Sequence, residues 1–83
     1  MKFEAKLAPG SETRTWYCQE GGHEWCITCL DGNYMAFYRK LGGTMQRVDG
    51  GPWQAYPFAV GACRIKLREL YDAFEKVQVK IRF

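Results

Sequence analysis

The sequence predicts one α+β domain, spanning residues 1–83, in which a long helix packs across one face of an antiparallel sheet. Turn residues interrupt the first half of the chain at short intervals, and apolar residues recur every three or four positions in the second half. A chain of 83 residues has room for one domain and one core. A helix on one face of an antiparallel sheet is a common two-layer architecture.

Four central strands are predicted between turn signals, in segments rich in β-branched and aromatic residues. The signals are two double glycines, the run of Asp, Gly and Asn at 31–33, and the run at 49–52 that ends in proline. The predicted strands form a four-stranded meander and are Thr13–Glu20, His23–Leu30, Tyr34–Leu41 and Thr44–Val48.

A two-residue turn at Gly21-Gly22 fixes the register of the first hairpin. It places Cys18 opposite Trp25 and Trp16 opposite Ile27, so that large apolar residues fall on one face. Cys29 joins this inner face, and Tyr17 and Cys26 lie opposite each other on the outer one.

The second turn decides which side chains of the next strand face the helix. A three-residue turn over 31–33 continues the inner face to Met35 and Phe37, pairs Phe37 with Val48, and turns Tyr34 and Tyr38 outward. A two-residue turn would exchange the two faces of the last two strands.

The second half of the chain has a helical period from Pro57 to Val77, with Pro57 suited to the first turn. Gly61 is a poor helix former, so the helix could begin as late as Ala62. The apolar positions of its inner face are Val60, Cys63, Leu67, Leu70, Phe74 and Val77. Trp25, Ile27, Phe37, Leu67, Leu70 and Phe74 are predicted to be buried.

Alternating residues at both ends predict two further strands that flank the meander. They are Phe3, Ala5 and Leu7 at the start, and Val79, Ile81 and Phe83 at the end.

The composition argues against several classes of protein. The chain carries 47% hydrophobic and 25% charged residues with a net charge of +3, which is typical of an ordered globular protein. It has no apolar run long enough to span a bilayer and no apolar signal core at its start, so we expect a cytoplasmic protein without membrane contact. A reducing compartment disfavours disulfides.

Cys18, His23, Cys26 and Cys29 raise the question of a metal or redox site. Residues three apart on a strand point to opposite faces, so Cys26 and Cys29 do not converge on one ion. We therefore expect Cys18, Cys29 and Cys63 to be core thiols, with no metal and no cofactor. A small metal or thiol protein remains the weakest alternative.

No catalytic constellation is evident, and we expect that the protein is not an enzyme. His23 follows a turn, without the partners that a cysteine nucleophile needs. Asp31 and Asp49 fit turn hydrogen bonding, and the double glycines fit hairpins. The chain contains no phosphate-binding loop or dinucleotide fingerprint.

The outer sheet face carries the candidate binding residues, because tyrosine and arginine combine large contact area with a polar group. Lys2 and Lys6 add positive charge on a flanking strand, and Ile65, beside Arg68 on the polar side of the helix, is a second candidate contact. The predicted partner-binding residues are Tyr17, Tyr34, Tyr38, Lys40, Arg47 and Arg82.

These features favour a small binding module, monomeric or weakly homodimeric, that docks on a larger protein or a protein–nucleic acid complex. Stoichiometric inhibitors and accessory proteins have this form, including phage-type inhibitors of a host or defence complex such as an anti-CRISPR. The alternative is a single-stranded nucleic-acid-binding domain that uses the same face, since interleaved aromatic and basic residues suit stacked bases and phosphates.

Overall fold

The computed structural model describes the backbone of residues 1–6 and 14–81 and the side chains of residues 1–6 and 14–73. Within these residues, one sheet has five antiparallel strands in sequential order, and one helix packs on one of its faces. The α+β prediction is confirmed. The elements are β1 (Glu4–Lys6), β2 (Arg14–Glu20), β3 (His23–Leu30), β4 (Asn33–Lys40), β5 (Gln46–Arg47) and α1 (Tyr56–Ile81).

The first hairpin has the predicted register. Gly21 and Gly22 both have positive φ, 63° and 73°, which suits a two-residue turn between twisted strands. Trp16 lies opposite Ile27, and Cys18 lies opposite Trp25. The inner face of β2 and β3 therefore carries the apolar residues expected there.

The second hairpin differs from the prediction because its turn has two residues. Asp31 and Gly32 occupy the turn with φ of 53° and 75°, and Leu30 pairs with Asn33. The faces of β4 are consequently exchanged. Tyr34, Ala36 and Tyr38 face the helix, and Met35 and Phe37 lie on the outer face.

The last strand is shorter than predicted, and its pairing with β4 is shifted by one residue from the register of a two-residue turn at Gly42-Gly43. Arg47 lies opposite Phe37, and Gln46 lies opposite Tyr38. The expected pairing of Phe37 with Val48, which would also have placed Tyr38 opposite Arg47, was wrong. The Val48 amide instead donates to the Ala36 carbonyl at 2.9 Å.

The connection from β5 to the helix is tied to the edge of the sheet. Tyr34 and Trp53 exchange two backbone hydrogen bonds, of 2.7 and 2.9 Å. These bonds hold the segment after β5 beside the start of β4, so that the helix begins over the inner face.

The helix begins at Tyr56 and continues to Ile81. Pro57 lies in its first turn, where a missing N–H is tolerated, and Gly61 is an internal residue and not a boundary. The predicted strand at Val79 and Ile81 was wrong, because both residues are helical. Phe83 and Arg82 of that strand lie outside the described residues, as do Leu7 and Thr13 of two other predicted strands.

The core lies between the sheet and the first four turns of α1. Trp25 and Ile27 are buried as predicted, whereas Leu67 and Leu70 are only half-buried and pack against the buried cluster. The predicted burial of Phe37 was wrong, since the exchanged register leaves it half-buried on the outer face. The side chain of Phe74 lies outside the described residues. The fully or nearly buried set is Cys18, Trp25, Cys26, Ile27, Ala36, Val48, Ala59 and Cys63.

Candidate binding surfaces

Two of the predicted contact residues, Tyr34 and Tyr38, lie between the sheet and the helix. The Tyr38 ring stacks on Trp25 with centroids 5.4 Å apart and planes inclined by 26°. The Lys66 ammonium of α1 lies 5.5 Å from the Tyr38 ring centroid, and the Tyr38 hydroxyl donates to the Gln46 Oε1 at 3.0 Å. Tyr38 is thus a packing residue of the inner layer.

Tyr34 belongs to a second aromatic group on the same inner face. Its ring centroid lies 6.0 Å from that of Trp16 and 6.2 Å from that of Tyr56. The Trp16 and Tyr56 rings are closer still, at 4.9 Å. These tilted contacts join β2, β4 and the first turn of the helix.

The outer sheet face carries a line of five directly paired residues, one from each strand. Cross-strand neighbours share a face, so the register places them side by side. We call this line the cross-strand row; from β1 to β5 it is Glu4, Tyr17, Cys26, Phe37 and Arg47. Its centre is apolar and its two ends carry opposite charges.

Cys26 is 7% exposed, although none of the described elements packs over the outer sheet face. Tyr17 and Phe37 lie on either side of it in the cross-strand row and provide this cover. Tyr17 itself remains 40% exposed. The row therefore presents an aromatic centre to the surface.

Charged groups surround the cross-strand row. The Lys6 ammonium lies 5.2 Å from the Tyr17 ring centroid, within the range of a cation–π contact. Glu24 and Arg39 form an ion pair beside the row, and the hydrogen bond from Arg39 holds the pKa of the Glu24 carboxyl below its usual value. Arg47 extends toward the Gly50 carbonyl, at 3.5 Å.

The outer face of the helix carries a second exposed group. Phe58 is 64% and Ile65 is 63% exposed, and they are seven residues apart, so they lie along one line of the helix. A Cβ built on Gly61 would meet nothing within 4 Å. Arg64 and Arg68 are exposed and flank the line on one side. We call Phe58, Gly61, Arg64, Ile65 and Arg68 the outer helix face.

A shallow groove runs beside the outer helix face. It lies between the helix and the segment after β5, and Ile65 stands at its margin. Trp53 contributes an apolar wall, and Asp49 and Glu69 contribute carboxylates. The groove is thus continuous with the exposed apolar surface at Ile65.

The four cysteines are free thiols, and their environments differ. Burial raises the pKa of the Cys63 thiol to about 12 and also raises the pKa of the Cys26 thiol. Cys29 is half-buried, and a hydrogen bond between its thiol and Tyr34 raises the pKa of the Tyr34 hydroxyl. Among residues 1–6 and 14–73, no three His, Cys, Asp or Glu side chains cluster as metal ligands.

His23 is held at its own turn, because its Nδ1 lies 2.8 Å from the Gly21 carbonyl oxygen.

Comparison with known protein families, with curated proteins and with solved structures gave no match for this chain. Within the described part of the chain, no helix is both long enough and apolar enough to cross a lipid bilayer.

The predicted contact residues are thus divided between surfaces. Tyr17 and Arg47 lie on the outer sheet face as expected, and Lys40 shares the inner side of β4 with Tyr38, where it is exposed at the strand end. Arg82 is outside the described residues.

Phe58 was missed, although one signal was available in the sequence. It precedes Ile65 by seven positions, and this spacing repeats a face of the helix on the side opposite Cys63. Glu4 was also missed, because its role depends on pairing across all five strands.

Proposed function

We propose that the protein is a non-catalytic binding module whose outer helix face docks into an apolar groove of a larger protein. The observation that carries the proposal is the joint exposure of Phe58 and Ile65 along one line of the helix. Two large apolar side chains at such spacing are an arrangement used by helices that bind in grooves. Covering water-exposed apolar side chains with a partner lowers the free energy of the complex.

Gly61 supports close docking. It lies between Phe58 and Ile65 on the outer helix face and has no side chain, so a partner can approach the helix backbone there. The anchors would then enter pockets on either side of this contact. A residue with a larger side chain at position 61 would hold the partner away.

Arg64 and Arg68 favour a partner surface with acidic groups beside its apolar groove. Both guanidinium groups are exposed, and they lie on the same side of the line from Phe58 to Ile65. Exposed charges of this kind chiefly steer association and select the orientation of the partner. Their complement on the partner would be aspartate and glutamate.

A protein partner is favoured over a nucleic acid. The nucleic-acid alternative used Tyr17, Tyr34 and Tyr38 as stacking surfaces. Of these rings only Tyr17 lies on the outer sheet face, because Tyr34 and Tyr38 are packed in the inner layer. On the outer helix face Phe58 is the one aromatic residue among five and its neighbouring anchor Ile65 is aliphatic, whereas single-strand binding surfaces stack successive bases on several aromatic side chains.

The proposal is tested by comparing what the parent and matched variants capture from a lysate of the native host. Phe58→Ser and Ile65→Ser remove the two anchors. Leu41→Ser is the control, because Leu41 is 61% exposed but lies in the turn after β4. We expect one captured protein to be retained by the parent and the control and lost with both helix variants, with and without nuclease.

The captured protein is then purified and titrated by calorimetry. Removal of an anchor should raise the Kd by about 30-fold or more, as for a residue at the centre of an interface. Capture that disappears with nuclease, or that survives both helix substitutions, would overturn the proposal.

A further inference from the structure

We propose that the outer sheet face pairs with the same face of a second copy of this chain, in a dimer with two-fold symmetry. This surface lies on the opposite side of the molecule from the outer helix face, so the inference goes beyond the proposed docking function. It is carried by the order of residues along the cross-strand row, which is complementary to itself.

The cross-strand row runs from an acidic end to a basic end. Glu4 lies in β1 and Arg47 lies in β5, both exposed, at the two edges of the sheet. Tyr17 and Phe37 lie one strand in from each edge, and Cys26 lies at the centre. The row thus has a charge of each sign and an aromatic ring on either side of its midpoint.

A two-fold axis parallel to the strands through Cys26 brings unlike ends together. Such an axis reverses the order of the strands in the second copy and keeps each residue at the same level along the strand. Glu4 of one copy then faces Arg47 of the other, and Tyr17 faces Phe37. Two ion pairs flank two aromatic contacts, and isologous interfaces repeat every contact in this way.

The other in-plane axis gives the opposite result. A two-fold axis perpendicular to the strands would place Glu4 against Glu4 and Arg47 against Arg47. Juxtaposed like charges are unfavourable at interfaces. The charges therefore select the axis parallel to the strands, and stacked sheets ordinarily keep their strands aligned within about 30°.

The neighbouring charges are compatible with this axis. Glu24 would lie close to Glu24 of the second copy, but each Glu24 carboxylate is already paired with Arg39 of its own chain. Two residues away on the other side of the cross-strand row, Thr28 would face Thr28 of the second copy and Thr15 would face Met35. No like charges meet there on β2, β3 and β4.

The size of the face predicts a weak dimer. Five strands spaced about 4.8 Å apart and up to eight residues long give a flat area on the order of 500 Å². Specific, stable interfaces bury about 800 Å² of accessible surface per partner. Association should therefore depend on concentration and be lost on dilution.

The test is sedimentation equilibrium of the full chain over a wide concentration range, with charge reversals at the two ends of the row. Glu4→Arg and Arg47→Glu each place like charges at both symmetric contacts and should weaken dimerisation about tenfold or more. The double variant restores both pairs with reversed sign and should dimerise within about threefold of the parent. Thermal melts of each variant confirm that the fold is retained.

Ile65→Ser is the control and should dimerise like the parent, because Ile65 belongs to the outer helix face. The inference is overturned if the parent stays monomeric at every concentration, if either single reversal dimerises like the parent, or if the double variant fails to recover. Loss of dimerisation in Ile65→Ser would also overturn it, by moving the interface to the helix. None of these results depends on the partner capture that tests the proposed function.

Discussion

The two faces of the sheet bury their aromatic residues by different means. On the inner face, Trp25 is fully buried and Tyr38 lies between its ring and Lys66 of the helix. On the outer face, Tyr17 and Phe37 flank Cys26 and remain partly exposed. The inner residues therefore contribute mainly to stability, whereas the outer ones are available for contacts with another molecule.

The largest expected difference between the faces is in the cost of removing an aromatic ring. Trp25→Ala should lower the free energy of unfolding by about 3–5 kcal/mol, because the indole is buried and its Nε1 donates to the Glu20 carbonyl at 3.0 Å. Phe37→Ala should cost about 1 kcal/mol, since the ring is half-buried. Urea unfolding of dilute samples measures both, and equal losses would show that the outer face is also part of the core.

A smaller difference is expected between Cys63, which lies in the core, and Cys26, which lies on the outer sheet face. Cys63→Ser places a hydroxyl in the core and should cost about 1–3 kcal/mol if it finds no hydrogen-bond partner. Cys26→Ser should cost less than Cys63→Ser, because only the side chains of Tyr17 and Phe37 cover position 26 and a small movement of either gives the hydroxyl access to water. Chemical unfolding of the two variants under reducing conditions decides this, and a larger loss at Cys26 would contradict the assignment of faces.

Alkaline pH should weaken the fold through Cys63. Its folded pKa of about 12 lies above the ordinary thiol value of about 8.5, so the buried thiol stays protonated where the unfolded one ionises. Its contribution to stability is complete below the unfolded pKa and is lost as the pH rises toward the folded pKa. Between these values the parent should lose up to about 1.4 kcal/mol per pH unit more than Cys63→Ala.

Urea unfolding of both proteins at about pH 8, 9.5 and 10.5 gives this difference. Tyr56 ionises in the same range and is present in both proteins; burial is the largest cause of its raised pKa and Cys63 the smallest, so most of its contribution cancels in the comparison. Parallel curves for the two proteins would mean that the thiol is accessible to water.

The smallest expected effect is a gain in stability at Gly61. Gly61→Ala should add about 0.5–1 kcal/mol, because alanine favours an internal helical position and its Cβ meets nothing within 4 Å. Gly32→Ala is the control, since Gly32 has a φ of 75° and alanine there should be destabilising. Thermal melts measure both, and a destabilised Gly61→Ala would place the helix start after this residue.

The sequence predicted the first hairpin more reliably than the second for a physical reason. In β2 and β3 the inner face collects both tryptophans and Ile27, whereas the outer face is mainly polar, so turn and burial agree. In β4 the run from Tyr34 to Tyr38 is apolar or aromatic at every position, so either register buries apolar residues. The turn alone decides, and Asp31-Gly32 adopts the positive φ of a two-residue turn.

The end of the helix could not be predicted from the alternation of apolar and polar residues. Val79 and Ile81 alternate with polar residues as in a strand, but no glycine or proline follows Gly61 to end the helix. Helix propagation from a formed helix costs less than starting a new element. The candidate surfaces were predicted only in part, because the outer sheet face depends on the register of β4.

The most direct test of the two-faced sheet is the set of nuclear Overhauser contacts made by Phe37 and Tyr38. The structure predicts contacts from the Tyr38 ring to Trp25 and the Lys66 side chain, and contacts from the Phe37 ring to Cys26 and Arg47. Contacts from Phe37 to the helix, with Tyr38 free of Trp25 and Lys66, would mean that β4 is shifted by one residue and would contradict this account of both faces.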